Sequence, residues 1–174
     1  MSEALSHLRT VTAVPLTCES FAPFGEVVSH RGTDRRHYLA LPFDRTADAN
    51  RTMMWVSCVE TPRRLPLRIE RLERHPYSAQ TFIPLAVSRY LIVVAPQAEG
   101  GQPDTAGLQA FIAASREGVC YRRRVWHHGL TVLDTPAEFA ILMSMRSEGD
   151  DEFADLREAV RIEDSAHQPS DIEG

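Results

Sequence analysis

The sequence predicts a mainly β fold, a β-sandwich or jelly-roll barrel with a few short helices. Short extended segments rich in Val, Ile, Leu and aromatic residues recur along the chain, and Pro- and Gly-containing turns separate them. A helical pattern of apolar residues is evident only near the C-terminus. With 174 residues, the chain is long enough for one sizeable hydrophobic core.

The elements follow in order from local patterns. Residues 1–14 are predicted to be a loose lead-in, a short helix is expected around residues 19–21, and residues 30–50 are expected to form a long polar loop. Residues 108–113 fit either a short helix or a strand. Strands are predicted at residues 26–29, 52–60, 65–72, 79–84, 89–95, 118–130, 130–133 and 139–145.

The last predicted element is a C-terminal helix over residues 151–160. Phe153, Leu156 and Val160 fall on one side of such a helix, with acidic residues in its first turn. Residues 165–174 are predicted to be a disordered tail. Because no linker divides the chain, residues 1–164 are predicted to form a single domain.

Composition excludes several classes of function. The net charge of -5, with no long basic run, argues against a nucleic-acid partner. There is no apolar stretch of about 18 residues, which argues against a membrane span. The N-terminus lacks the features of a secretory signal, and Cys18, Cys58 and Cys120 are odd in number and widely spaced. These features predict a cytoplasmic protein with reduced thiols.

All nineteen basic residues are Arg, and the chain has no Lys. The absence of Lys excludes Schiff-base chemistry and a P-loop nucleotide site. An anionic substrate bound by this chain would therefore be held by planar guanidinium groups.

Residues 118–130 carry the densest set of polar and aromatic side chains. In a continuous strand, Tyr121 and His127 would share one face, and Trp126 and His128 the other. Buried polar groups need partners, which a bound ligand or metal can supply. An edge strand with solvated Arg residues and one satisfied core His is an equally good interpretation of this stretch alone.

Several motifs together resemble the ureidoglycolate lyase family of the cupin superfamily. They are residues 72–76 (LERHP) with 79–84 (AQTFIP), residues 125–128 (VWHH), and residues 21–28 (FAPFGEVV). The resemblance extends over about residues 16–143 in the family's order and spacing.

The resemblance implies a cupin-like jelly-roll β-barrel, a homodimer, and cleavage of (S)-ureidoglycolate to glyoxylate and urea in allantoin degradation. It also implies a possible divalent metal, nickel or manganese. A neutral imidazole suits the proton transfers of this reaction. The residues expected in catalysis, and as metal ligands if a metal binds, are His75, Gln80 and His127. The residues expected to bind substrate are Arg74, Arg122, Trp126 and His128.

The sequence departs from the family pattern in places. Tyr38 stands where a His is usual, Gly129 replaces a Pro, and residues 139–149 differ from the family's usual segment. Three further interpretations therefore remain: a lyase for a related ureido or amido hydroxy acid, a metal-dependent cupin with redox or isomerase chemistry, and a non-catalytic ligand-binding barrel.

Overall fold

The computed structural model describes residues 8–165, and in this range β-strands predominate. One short helix, α1 (Cys18–Phe21), and one 3-10 turn (Thr105–Gly107) accompany them. The strands are β1 (Arg9–Pro15), β2 (Gly25–Val28), β3 (Arg51–Val59), β4 (Leu67–Arg74), β5 (Gln80–Ala86), β6 (Arg89–Ala95), β7 (Gln109–Ala114), β8 (Gly118–Tyr121), β9 (Trp126–His127), β10 (Thr131–Leu133), β11 (Ala137–Met145) and β12 (Glu152–Asp164).

Six of these strands close into a barrel, which we call the ring. The pairing runs β6–β7–β1–β12–β4–β9 and returns from β9 to β6, while β10 pairs with the first residues of β6 on the same edge as β9. The interior of the ring is filled by small and branched apolar side chains and one indole. They include Ala13, Ile69, Leu72, Leu91, Val93, Ala110, Trp126, Val160 and Ile162.

The other five strands form an antiparallel sheet, the flanking sheet, in the order β2-β8-β5-β11-β3. A second core lies between this sheet and the outer face of the ring. Alternation along β6 serves both cores, because Leu91 and Val93 enter the ring while Tyr90, Ile92 and Val94 face the flanking sheet. The expected mainly β, cupin-like barrel is confirmed.

Most predicted elements are confirmed with small shifts of their ends. The helix near residues 19–21 is present, and the ambiguous segment 108–113 is strand β7. The prediction of a loose lead-in is wrong for residues 9–14, which lie in β1 and pair in parallel with β12. Residues 1–7 and 166–174, including nearly all of the predicted tail, lie outside the described residues.

The prediction of a C-terminal helix is wrong, because residues 152–164 form the longest strand, β12. This strand pairs with β1 on one side and β4 on the other, and its register shifts between Asp155 and Val160. The shift interrupts simple alternation, which is why the apolar residues had a helix-like spacing. Pairing with β4 at residues 152–155, and with both β1 and β4 from Val160 onward, outweighs the local helical preference.

The prediction of one continuous strand over residues 118–130 is also wrong, because this segment forms two strands separated by a turn. Strand β8 belongs to the flanking sheet and β9 to the ring. Between them Arg124 has a φ of 68°, a left-handed backbone conformation that residues other than Gly seldom adopt. The chain thus crosses from one sheet to the other between Tyr121 and His127. Among residues 8–165, no helix is long and apolar enough to cross a membrane.

Truncating a side chain inside the ring tests the assignment of β12. We expect Ile162→Ala to reduce the free energy of unfolding by about 2–5 kcal/mol, because Ile162 is fully buried in the ring. Its neighbour Arg161 is exposed, so Arg161→Ala should change stability by no more than about 0.5 kcal/mol. Urea unfolding gives the free energy of unfolding of both variants. Equal losses of stability would contradict a strand that directs Ile162 into the ring and Arg161 out of it.

Candidate functional site

Two imidazoles and one carboxylate converge where β4 meets β9. Glu73 and His127 are cross-strand partners, and His75 lies two residues after Glu73 on the same face. One ligand atom from each of Glu73, His75 and His127 lies within 4.8 Å of the other two. The cluster is on the outer face of the ring, toward the flanking sheet.

His127 is held by contacts on two sides. Its Nδ1 donates to the carbonyl of Val125 at 2.9 Å, and the Tyr121 ring stacks on it at a centroid distance of 4.2 Å. Because Nδ1 carries the proton, Nε2 keeps its lone pair, and this atom lies 3.6 Å from Glu73 Oε1. Burial, with a further contribution from His75, lowers the pKa of His127 to about 3. His127 is therefore neutral at physiological pH.

His75 is also buried, and its ring lies 5.3 Å from that of His127. Its Nδ1 is 3.0 Å from Asp151 Oδ1, although the two groups are not aligned as a hydrogen bond. Burial raises the pKa of Glu73; His75 opposes this shift and Asp151 adds to it. The cluster therefore combines the neutral imidazole of His127 with the carboxyl group of Glu73, which holds its proton more tightly than usual.

Several buried polar atoms at this site have no hydrogen-bond partner in the described part of the chain. They are both ring nitrogens of His75, Nε2 of His127 and Oε1 of Gln80. Such atoms are rarely left unpaired in proteins, so their grouping is typical of a site that binds a ligand or ion. Two imidazoles and a carboxylate are a donor set suited to a divalent transition metal, and the residues present fit such an ion.

Gln80 faces the same space from the flanking sheet. It is the cross-strand partner of Tyr121, so the two side chains share a face, and it is 7% exposed. Its Nε2 lies 3.9 Å from Met143 Sδ, a weak interaction. The structure therefore brings Gln80 to the interior beside Tyr121, which stacks on His127.

Arg74 and Trp126 lie on the opposite face of β4 and β9 from the imidazoles. The Arg74 guanidinium stacks over the Trp126 indole at 4.4 Å and lies 2.6 Å from Glu152. The carbonyl oxygen of Gly101 accepts a hydrogen bond from each side chain: Arg74 Nη1 donates at 2.9 Å and Trp126 Nε1 at 3.0 Å. The two residues close one end of the ring and are not brought together with His75 and His127.

The other predicted substrate-binding residues are also outside the cluster. Arg122 and Arg124 are exposed and line a surface depression of about 360 Å³ with Asp44 and Arg123. His128 points away from His127, and its Nδ1 donates to the carbonyl of Gly129 at 2.9 Å. Burial lowers the pKa of His128.

The structure adds Glu73 and Asp151 to the residues expected from the sequence. Glu73 had a detectable signal, because a Glu-x-His pair in an extended strand places both side chains on one face. Asp151 had none, because the incorrectly predicted C-terminal helix separated it from His75.

Fold and site together define a cupin-like barrel protein with a histidine–carboxylate centre. The family model described as Ureidoglycolate lyase matches residues 8–163, and the chain belongs to that family.

Several ureidoglycolate lyases are similar to this chain. The protein from Burkholderia cepacia is 44% identical, covering 73% of this chain and 75% of its own length. The proteins from Stutzerimonas stutzeri (36% identical) and Pseudomonas syringae pv. tomato (37% identical) each cover 78% of this chain and 83% of their own. Among solved structures, a dTDP sugar isomerase from Desulfovibrio desulfuricans G20 aligns with 21% identity and a TM-score of 0.44, over 75% of this chain and 82% of that one. This structural similarity is too low to support a functional argument.

Metal titration of two variants distinguishes the candidate donor set of Glu73, His75 and His127 from the set expected from the sequence, in which Gln80 takes the place of Glu73. We expect Glu73→Gln to weaken Ni²⁺ or Mn²⁺ binding by more than about 100-fold, since even outer-shell partners contribute about 10–100-fold. Gln80→Ala should retain most of the affinity, because Gln80 approaches from the other sheet. Calorimetry on the metal-free protein gives both constants. Loss of binding in Gln80→Ala with normal binding in Glu73→Gln would contradict the assignment.

Proposed function

We propose that this chain is a lyase that cleaves (S)-ureidoglycolate to glyoxylate and urea, a step of allantoin degradation. Membership of the ureidoglycolate lyase family supports this activity. The observation that carries the proposal is the buried cluster of Glu73, His75 and His127, whose ligand atoms lie within 4.8 Å of one another and whose free imidazole nitrogens have no partner among the described residues. Structural cores seldom contain such a group without a ligand.

The same three residues are the proposed ligands of a divalent metal, nickel or manganese. His127 is suited to this role because Nδ1 donates to the Val125 carbonyl and Nε2 retains its lone pair. A bound divalent ion would supply Lewis acidity that lowers the pKa of the substrate hydroxyl.

The reaction requires a proton to leave the hydroxyl group and to reach the departing nitrogen. Glu73 offers one carboxylate oxygen to the proposed ligand set, and we assign both transfers to its second oxygen. As the O–H proton moves to Glu73, the oxygen forms the aldehyde C=O of glyoxylate and the C–N bond breaks. Glu73 then returns the proton to nitrogen, which completes urea.

Gln80 is proposed to recognise the ureido group. Its Oε1 is buried and without a partner among the described residues, so it can accept a hydrogen bond from a ureido N–H. A substrate without that N–H would leave the oxygen unpaired in the interior. The free-energy cost of leaving this buried oxygen without a hydrogen bond would discriminate strongly against such a substrate. Arg122 is retained as a candidate for steering the anionic substrate toward the protein.

We also propose a homodimer formed through β3, the edge strand of the flanking sheet. The middle of β3 exposes apolar side chains on both faces: Met53 (38%), Met54 (64%), Trp55 (36%) and Val56 (60%). No charged residue interrupts the strand between Arg51 and Glu60. Natural edge strands are normally protected by charges, Pro or bulges, and residues 52–59 of this one contain none of them.

Charge at the ends of β3 favours a second copy of this chain as the partner. In an antiparallel pairing of two β3 strands about a two-fold axis, Arg51 would face Glu60 of the partner subunit. The apolar centre would meet itself, and the two flanking sheets would become continuous.

A single cytoplasmic domain completes the proposal. Because β6 contributes side chains to both cores, the ring and the flanking sheet cannot be separated without exposing apolar surface. Cys18, Cys58 and Cys120 are free thiols, as expected in a reducing compartment.

Adjacent histidines provide a matched test of the site. We expect His127→Gln to lower kcat/KM for ureidoglycolate by at least about 100-fold, because it removes an imidazole of the proposed ligand set. His128→Gln should lower it less than about 5-fold, since that imidazole is directed to the opposite face. Release of urea and glyoxylate is measured for both, with circular dichroism as the control for folding. Equal activity in the two variants would refute the assignment.

Charging the centre of β3 tests the dimer. Val56→Lys should shift the protein to a monomer, because it would set a charged ammonium group against the apolar Trp55 of the partner subunit, once on each face of the joined sheet. Val14→Lys is the control, since Val14 is an exposed apolar residue (43%) in the ring. Analytical ultracentrifugation measures the mass of each. A Val56→Lys dimer with unchanged affinity would exclude this interface.

A further inference from the structure

Asp151 places a carboxylate against the outer edge of the His75 imidazole. The Asp151 side chain is half-exposed (53%), whereas that of His75 is 6% exposed, and 3.0 Å separates Asp151 Oδ1 from His75 Nδ1. Asp151 also raises the pKa of Glu73. Its charge therefore acts on the cluster, although the side chain lies at the mouth of the site and outside the ligand set.

The backbone on both sides holds Asp151 in this position. The next residue, Glu152, pairs in register with Arg74 across β12 and β4, and their side chains meet at 2.6 Å. The preceding residue, Asp150, is buried and accepts a hydrogen bond from the backbone N–H of Arg146 at 2.8 Å. Asp151 is thus the next position along the β4–β12 ladder, opposite His75.

A carboxylate beside Nδ1 determines which nitrogen of His75 carries the proton. The Nδ1–H tautomer sets a partly positive N–H group 3.0 Å from the carboxylate, without the alignment of a hydrogen bond, while the other tautomer would set a lone pair against the negative charge. We propose that Asp151 is a positioning residue that holds His75 as the Nδ1–H tautomer and leaves Nε2 as its free lone pair. His127 reaches the same state through the carbonyl of Val125.

This role extends the proposed function, because it makes Nε2 the atom of each imidazole that would bind the metal. It also gives the end of the connection between β11 and β12 a specific task at the site. Two imidazoles in the same tautomer offer a matched pair of donors. A His75 in the other tautomer would present an N–H to the ion and could not bind it through Nε2.

Nitrogen NMR tests the tautomer directly on the metal-free, full-length protein. Long-range ¹H–¹⁵N spectra of ¹⁵N-histidine-labelled protein, recorded above the usual pKa of imidazole, distinguish the two forms. We expect Nδ1–H for His75 in the wild type and in Asp151→Asn, whose amide oxygen still carries a partial negative charge beside Nδ1. Asp151→Ala should change His75 to Nε2–H. Asp155→Asn, which removes another exposed acid of β12, should give the wild-type spectrum.

Metal affinity provides a second measurement. Asp151→Ala should weaken Ni²⁺ binding by about 10–100-fold, Asp151→Asn by less, and Asp155→Asn not at all. An Nε2–H tautomer in the wild type, or an unchanged His75 spectrum in Asp151→Ala, would overturn the inference. If the tautomers follow the expected pattern but the wild type cleaves no ureidoglycolate with added metal, the positioning role stands and the proposed function fails.

Discussion

Strand β9 is only two residues long, and the site depends on the backbone pairing that it makes on both sides. Glu73 of β4 and Val94 of β6 are both cross-strand partners of His127, so this one residue closes the ring. The same pairing sets the imidazole beside the carboxylate of Glu73. Closure of the barrel and assembly of the cluster are therefore one structural event, and loss of the β9 pairing would remove both.

Burial of the cluster has consequences for its chemistry. Removal from water destabilises the charged forms, which lowers the pKa of His127 and raises that of Glu73. The neutral imidazole of His127 is the form that binds a metal, and the raised pKa of Glu73 makes its carboxylate a better proton acceptor than an exposed one. The apolar core between the ring and the flanking sheet thus prepares these residues for binding and proton transfer.

Local patterns located much of this structure in advance. Turn residues and short apolar segments predicted the strands near residues 52–60, 89–95 and 139–145, and His75 and His127 were expected in the site. The C-terminal strand was mistaken for a helix because a register shift altered its spacing. Arg74 and Trp126 were expected near substrate, but alternation along two-residue β9 directs the indole into the ring.

What the sequence by itself determined is the class of fold, the family and the identity of the two imidazoles. These depend on residue types and spacing along the chain, which are local quantities. Only the tertiary structure decided that Glu73 and Asp151 join them, since the contact of Asp151 with His75 spans two distant strands. Only the tertiary structure, too, separated Trp126 from the site, because the closure of the ring determines which face of β9 is inside. Pairing between distant strands has no signature in the spacing of either strand alone.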